Sequence, residues 1–277
     1  MSTQFYESMR LLYNRYYFYY LEFNLIIQIY EIQTESEAKI VLSQGVDHIG
    51  SVVLSETHWA DSKIQSAIDL VHQAGKKSSL IPLFNNVKII CRCIDYYRPD
   101  IIHLCDSIAM GPMQADAVDK LIDTQAKIRS FFPEIKIMRS IPISESGRSR
   151  LCDVLALTKQ FEPHSDYFLT DTIINTFGNK ICEKDQPVAG FVGITGRIND
   201  WKIASELVAQ STIPVILAGG LGPTNVFDAV KKVRPFGVDS CTRTNAHDAN
   251  GKPIRFKKDP EKVGQFVTAA RKAASLL

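Results

Sequence analysis

The strongest constraint on how this chain folds is an alternation. Short apolar runs, each of strand length, recur between longer segments whose apolar residues fall at helical spacing. The runs are read at 25–30, 47–54, 78–84, 100–105, 136–142, 165–170, 214–218 and 237–241. The helices between and after them are expected at 34–44, 61–74, 87–97, 114–131, 150–161, 200–210, 224–233 and 259–275. Their ends carry stop signals: Gly45, Gly75 and Pro99 follow the first three. Nearly continuous apolar strands belong to a parallel sheet covered on both faces. Eight strands, each followed by a helix, predict an α/β fold, the (β/α)8 or TIM barrel of about 250 residues. An open, doubly wound sheet satisfies the same local pattern, because nothing local shows closure.

The barrel accounts for residues 25–277. Residues 1–24 stand apart as an aromatic-rich extension in which Tyr13, Tyr16, Tyr17, Phe18, Tyr19 and Tyr20 crowd together. Arg10, Arg15, Glu22 and Asn24 interrupt the segment, so it has neither the apolar length of a membrane span nor the cleavage site of a secretory signal. It reads as a helix packed on the barrel or on a partner, or as a tail. The chain's 32 basic and 30 acidic side chains leave a formal charge of +2, too little to attract nucleic acid or an anionic membrane. An anion would have to be held by local groups. The six cysteines are scattered, and the close pair Cys91 and Cys93 has one residue between its members, which is not zinc spacing. Reduced thiols in a cytoplasmic protein are the expectation.

Local groups of the right kind follow the seventh run. Val215, Ile216 and Leu217 lead into Gly219 and Gly220, and Pro223 and Thr224 then open a helix. Glycines beside exposed amides at a helix N-terminus form an anion site, although the same glycines can simply make a tight turn. In a barrel the ligand groups stand at the C-terminal ends of the strands. That rule nominates Tyr30, His58, Cys105, Asp171, Gly219, Gly220, Thr242 and Arg243 around one mouth.

Several motifs, in order, resemble a known family. Thr170-Asp171, Gly193-Ile-Thr-Gly196, Asp200-Trp201, Ala218-Gly-Gly-Leu221 and Gly237-Val-Asp239 are similar to those of phosphoribosylanthranilate isomerase, an enzyme of tryptophan and hence amino-acid biosynthesis. The likeness spans the chain from Leu25 to its end and is densest after Tyr167. It implies an aldose-ketose isomerase, formally an intramolecular oxidoreductase, that performs an Amadori rearrangement on a phosphorylated ribosyl amine without metal or organic cofactor. In that reaction a general acid protonates the ribose ring oxygen and a general base removes the proton from C2. The resemblance places the acid at Asp171; as a plain residue it would be a turn cap before Thr172. It places phosphate against Gly193, Thr195, Gly196, Gly219, Gly220 and Thr242.

The base departs from the family. The pattern Lys-Ile-Cys-Gly, whose cysteine is the base, appears here as Gln28-Ile-Tyr-Glu31. A phenol with an ordinary pKa of about 10 is a poor base at neutral pH, so Tyr30 is equally a hydrogen-bonding or stacking group. A second thiol is available, since the family's Gln-Leu-His-Gly appears as His103-Leu-Cys-Asp106. Side chains two apart share a face of a strand, so His103 could activate Cys105. Both are also ordinary core residues. The arginine that the family carries after the second strand is absent, and His58 is the nearest cation. Arg243 stands where the family has a glycine; it would grip the phosphate, or fill that site and close it. Three functions stay open: the isomerase, a barrel that binds a phosphorylated sugar without turnover, and a related enzyme with another phosphorylated substrate. The expected partner is a small phosphosugar, with neither nucleic acid nor membrane, and a homodimer is the assembly considered.

Overall fold

A computed structural model of the protein describes residues 25–108, 115–176, 180–181 and 188–277. The aromatic extension at 1–24 lies outside these residues, as do Gln114 and Cys182. Eight parallel strands run in chain order around a closed barrel: β1 (Ile26–Ile29), β2 (His48–Val53), β3 (Lys77–Pro82), β4 (Ile101–Leu104), β5 (Lys136–Ile143), β6 (Tyr167–Thr172), β7 (Val215–Leu217) and β8 (Gly237–Ser240). Closure is made by β1 against β8, from Ile26 beside Gly237 to Ile29 beside Ser240. That pairing decides for the barrel over the open sheet.

The helices are α1 (Glu35–Ser43), α2 (Ser62–Gln73), α3 (Val87–Tyr97), α4 (Ala115–Phe131), α5 (Leu151–Phe161), α6 (Trp201–Gln210), α7 (Val226–Val233) and α8 (Pro260–Ala274). Their ends follow from side-chain chemistry. Thr34 caps α1 by accepting from the Glu37 amide at 3.3 Å, and Asp61 caps α2 by accepting from Lys63 at 2.8 Å. Asp259 caps α8 ahead of Pro260, the residue type favoured in a first turn. Among the described residues no helix is long and apolar enough to cross a membrane.

Strand alternation builds two cores. Phe168 of β6, Val215 and Leu217 of β7 and Val238 of β8 face the helices and pack with Val230, Val263 and Phe266. Leu169, Ile216, Met138 and Ile101 face inward and pack with Tyr30. The expected elements are present with shifted ends. α7 begins at Val226 rather than 224 because Asn225 holds the preceding turn, accepting from the Gly222 amide at 2.8 Å and donating to the Gly220 carbonyl at 3.0 Å. Two short antiparallel ribbons had no counterpart in the sequence reading, Asn175–Thr176 with Lys180–Ile181 and Asn245–His247 with Pro253–Lys258. The second ribbon reaches back to the first strand, where Arg255 pairs with the buried carboxylate of Glu31 at 2.6 Å.

Candidate active site

The inner face of the barrel is polar below its mouth. Tyr30 follows β1, but its ring turns inward over Gly50, where a Cβ would come within 2.0 Å of the ring. Its hydroxyl meets Ser79 Oγ at 2.5 Å and His103 Nδ1 at 2.8 Å, and His103 Nε2 meets Ser140 Oγ at 2.8 Å. Burial pushes the phenol well above its ordinary value and pushes His103 down to about 3, so at neutral pH both are uncharged. Cys105 lies in an apolar cluster with Val52, Leu83 and Phe191. Burial, with Asp106 adding, drives its thiol far up, against the opposing charge of Arg139. Both nitrogens of His103 are engaged by Tyr30 and Ser140, so the imidazole is not turned to that thiol.

The mouth is organised on three adjacent strands. Asp171, on β6, shares the inward face with Leu169, and its Oδ1 accepts from the Thr172 amide at 2.7 Å. The loop 193–196 closes over this carboxyl: a Cβ on Gly193 would lie 2.0 Å from Asp171 Oδ2, so only glycine allows that approach. Asp239, on β8, is the second carboxyl of the same cavity. Between them β7 ends in Gly219 and Gly220, and Thr195, Gly196, Thr242 and Arg243 line the remaining wall. Arg243 donates from Nε and an NH2 group to the Gly196 carbonyl at 3.2 and 3.1 Å, which bridges the loop after β8 to the glycine loop. The cavity volume of about 30 Å³ holds roughly one water, and Arg243 forms part of its wall.

Desolvation sets the protonation of this mouth. It pushes Asp171 up to about 7, against the restraining bond from the Thr172 amide. It pushes Asp239 up to about 8, where the charge of Asp171 acts in the same direction and Lys258 opposes. The two titrate as a pair, and the steps belong to both carboxyls together. Cys241, also at the cavity, has a thiol held well above its usual range by burial, although Lys258 opposes this.

The structure therefore brings together Asp171, Gly193, Thr195, Gly196, Gly219, Gly220, Thr242 and Arg243. It leaves four nominated residues elsewhere: Tyr30 and His103 lie inside the barrel, Cys105 is packed with Val52, Leu83 and Phe191, and His58 is exposed after β2 with Nδ1 3.0 Å from Thr57 Oγ1. Asp239, which lines the same cavity, was not among the nominated residues, although an acid in the middle of an apolar strand signals an inward polar position. Gly220 offers a direct check of the turn. Its φ is +60°, and a Cβ would meet the backbone carbonyl of Arg197 at 2.5 to 2.6 Å. Gly220→Ala is expected to lower stability by about 1–3 kcal/mol in urea denaturation and to abolish stabilisation by inorganic phosphate.

Comparison with known proteins identifies the family. Residues 144–268, which carry Asp171, both glycine loops and Asp239, match the family model described as N-(5'-phosphoribosyl)anthranilate (PRA) isomerase. N-(5'-phosphoribosyl)anthranilate isomerase 2 of Methanosarcina mazei is 30% identical over 245 residues, covering 88% of this chain and 93% of the relative. Two solved structures share the fold. The isomerase of Pyrococcus furiosus matches at 20% identity with a TM-score of 0.61, over 90% of this chain and 100% of that one. A phosphoribosyl anthranilate isomerase in complex with reduced 1-(o-carboxyphenylamino)-1-deoxyribulose 5-phosphate matches at 17% identity with a TM-score of 0.62, over 90% and 99%. With such coverage and motifs, the chain belongs to the phosphoribosylanthranilate isomerase family.

Proposed function

We propose that this protein is an aldose-ketose isomerase acting on phosphoribosylanthranilate, with the phosphate held by Gly193, Gly196, Gly219, Gly220, Thr195 and Thr242. The observation that carries this reading is Asp171, a carboxyl pushed up to about 7 among two glycine loops at the mouth of the barrel. A carboxyl that keeps its proton near neutral pH can deliver it to the ribose ring oxygen. The C1–O bond then opens as the amine lone pair forms the iminium, and loss of the C2 proton gives the neutral enolamine that tautomerises to the ketose. Arg243, freed from the Gly196 carbonyl, forms a charge-assisted contact to the phosphate. The ligand is thus a small phosphosugar, not nucleic acid, and assembly as a homodimer belongs to the same reading.

The test is an isomerase assay on purified protein, following loss of substrate fluorescence, with complementation of a tryptophan auxotroph lacking the isomerase. Turnover and rescue are expected. Arg243→Ala is expected to raise KM about 10–100-fold, the size of one lost hydrogen bond to a charged group, with kcat changing less. A second reading, phosphosugar binding without turnover, is favoured by the protonated state of both Tyr30 and Cys105. Phosphate-dependent thermal stabilisation with no turnover would select it.

A further inference from the structure

The isomerase reading leaves the base unfilled. Tyr30 is bonded inside the barrel and Cys105 is packed among apolar side chains, so neither offers an ionised group to the mouth. Resting on that reading, we propose that Asp239 is the base of this chain: its carboxylate removes the C2 proton after Asp171 has protonated the ring oxygen.

Placement carries the inference first. β7 lies between β6 and β8, and each neighbouring strand is about 4.8 Å away, so Asp171 and Asp239 stand roughly 10 Å apart in strand terms. The turn at Gly219 and Gly220, the proposed phosphate anchor, ends the strand between them. A ribose anchored there has one carboxyl on each side, which suits two proton transfers at different ring atoms.

The surroundings of Asp239 carry it further. Its Oδ1 accepts from Gln28 Nε2 at 3.2 Å, and Gln28 Oε1 in turn meets His48 Nδ1 at 3.3 Å. Gln28 occupies the place of the lysine in the Lys-Ile-Cys-Gly pattern. An ammonium at this distance would hold Asp239 ionised and weaken it as a base; the Gln28 amide also lowers its proton affinity through the hydrogen bond, but brings no charge. The charged groups that bear on Asp239 are Asp171 from β6, which raises its proton affinity, and Lys258 from the ribbon before α8, which lowers it. His48, on β2, is pushed down to about 4 by burial and is neutral near pH 7. Two coupled carboxyls that disfavour double ionisation hold one proton between them over a range near neutrality. Asp239 has the higher proton affinity of the two, so the reactive form is the minor one of the pair, with the proton on Asp171 and Asp239 ionised.

The proton balance closes within the pair. Asp171 gives its proton to the ring oxygen and becomes a carboxylate, while Asp239 takes the C2 proton and becomes an acid. The electrons of the C2–H bond form the C1=C2 bond and neutralise the iminium. Return of a proton from Asp239 to C1, and of the enol proton to Asp171, regenerates both groups with the ketose.

The experiment uses the full chain with phosphoribosylanthranilate and its C2-deuterated form. Asp239→Asn, with thermal unfolding as the folding control, is expected to lower kcat about 10²–10⁴-fold and to increase the primary isotope effect at C2. Gln28→Lys is expected to lower kcat and to shift the acidic limb of the kcat–pH profile downward by a unit or more. Turnover in wild type that persists within threefold in Asp239→Asn would overturn this inference and leave the isomerase reading standing. No turnover in wild type would overturn both. If Asp239→Asn does not fold, Gln28→Lys decides, because it keeps the carboxyl: an unmoved pH profile overturns the inference.

Discussion

Asp171→Asn is expected to lower kcat about 10²–10⁴-fold and, at pH 8, to make the protein more stable by about 1–2 kcal/mol. The first effect follows from chemistry. The amide preserves shape but has no proton acidic enough for the ring oxygen, so the C1–O bond must open without acid assistance. The second follows from linkage. In the unfolded chain this carboxyl ionises near 3.8, whereas in the fold desolvation moves it up to about 7. The folded state therefore binds more protons between these values, and its stability is fully present below the lower one and falls as pH rises through the upper one. Asparagine has no such cost, so the variant's advantage grows from pH 5 to pH 8 and is absent near pH 3.5. Thermal melts across this pH range, beside kcat of the same preparations, check both halves. A site residue whose removal stabilises the fold is the usual trade between stability and activity.

Asp106→Ala is expected to cost about 3–5 kcal/mol, the largest stability loss of the substitutions considered, measured as a fall in the urea midpoint at unchanged slope. Asp106 follows β4 and pairs with Arg139 of β5, whose guanidinium donates to Oδ2 at 2.7 Å and to the Asp106 carbonyl at 3.1 Å. Arg139 is fully buried, and its guanidinium lies 4.9 Å from the ring centre of Phe161. Without the carboxylate, a cation is left in the layer between barrel and helices with no compensating charge. Against a typical stability of about 5–15 kcal/mol this is a large fraction. Replacing both partners by apolar residues, Asp106→Ala with Arg139→Met, is expected to recover most of the loss, since it removes the stranded charge as well as the pair. The single variant should also lose activity. The segment around Asp106 holds the chain that enters the glycine loop, with Ser107 donating to the Gly190 carbonyl at 2.8 Å and Val192 donating to that of Cys105 at 2.9 Å.

The barrel was legible because its signals are local. Runs such as Val215 to Leu217 are bounded by proline and glycine, and helices α1 and α2 open on Thr34 and Asp61 and close on Gly45 and Gly75, so each element announces itself within a dozen residues. The ribbon at Asn245–His247 and Pro253–Lys258 was not legible: its residues are mostly polar, and its pairing is visible only once it lies over Glu31. Asp171 and the glycine loops were recognisable as motifs, and their convergence followed from placing them at strand ends. Tyr30 shows the limit of that rule. Its position after β1 nominates it for the mouth, yet the bare backbone of Gly50 lets the ring turn inward to Ser79 and His103.

By itself the sequence determined the number and order of strands and helices, the glycine turns, and the family to which the chain belongs. The tertiary structure alone decided which ionisable groups face one another and in what state. Gln28 and Asp239 are 211 residues apart in the chain and 3.2 Å apart across the seam of the barrel. Proton affinity depends on such neighbours and on exclusion of water, both created only when the eighth strand closes on the first.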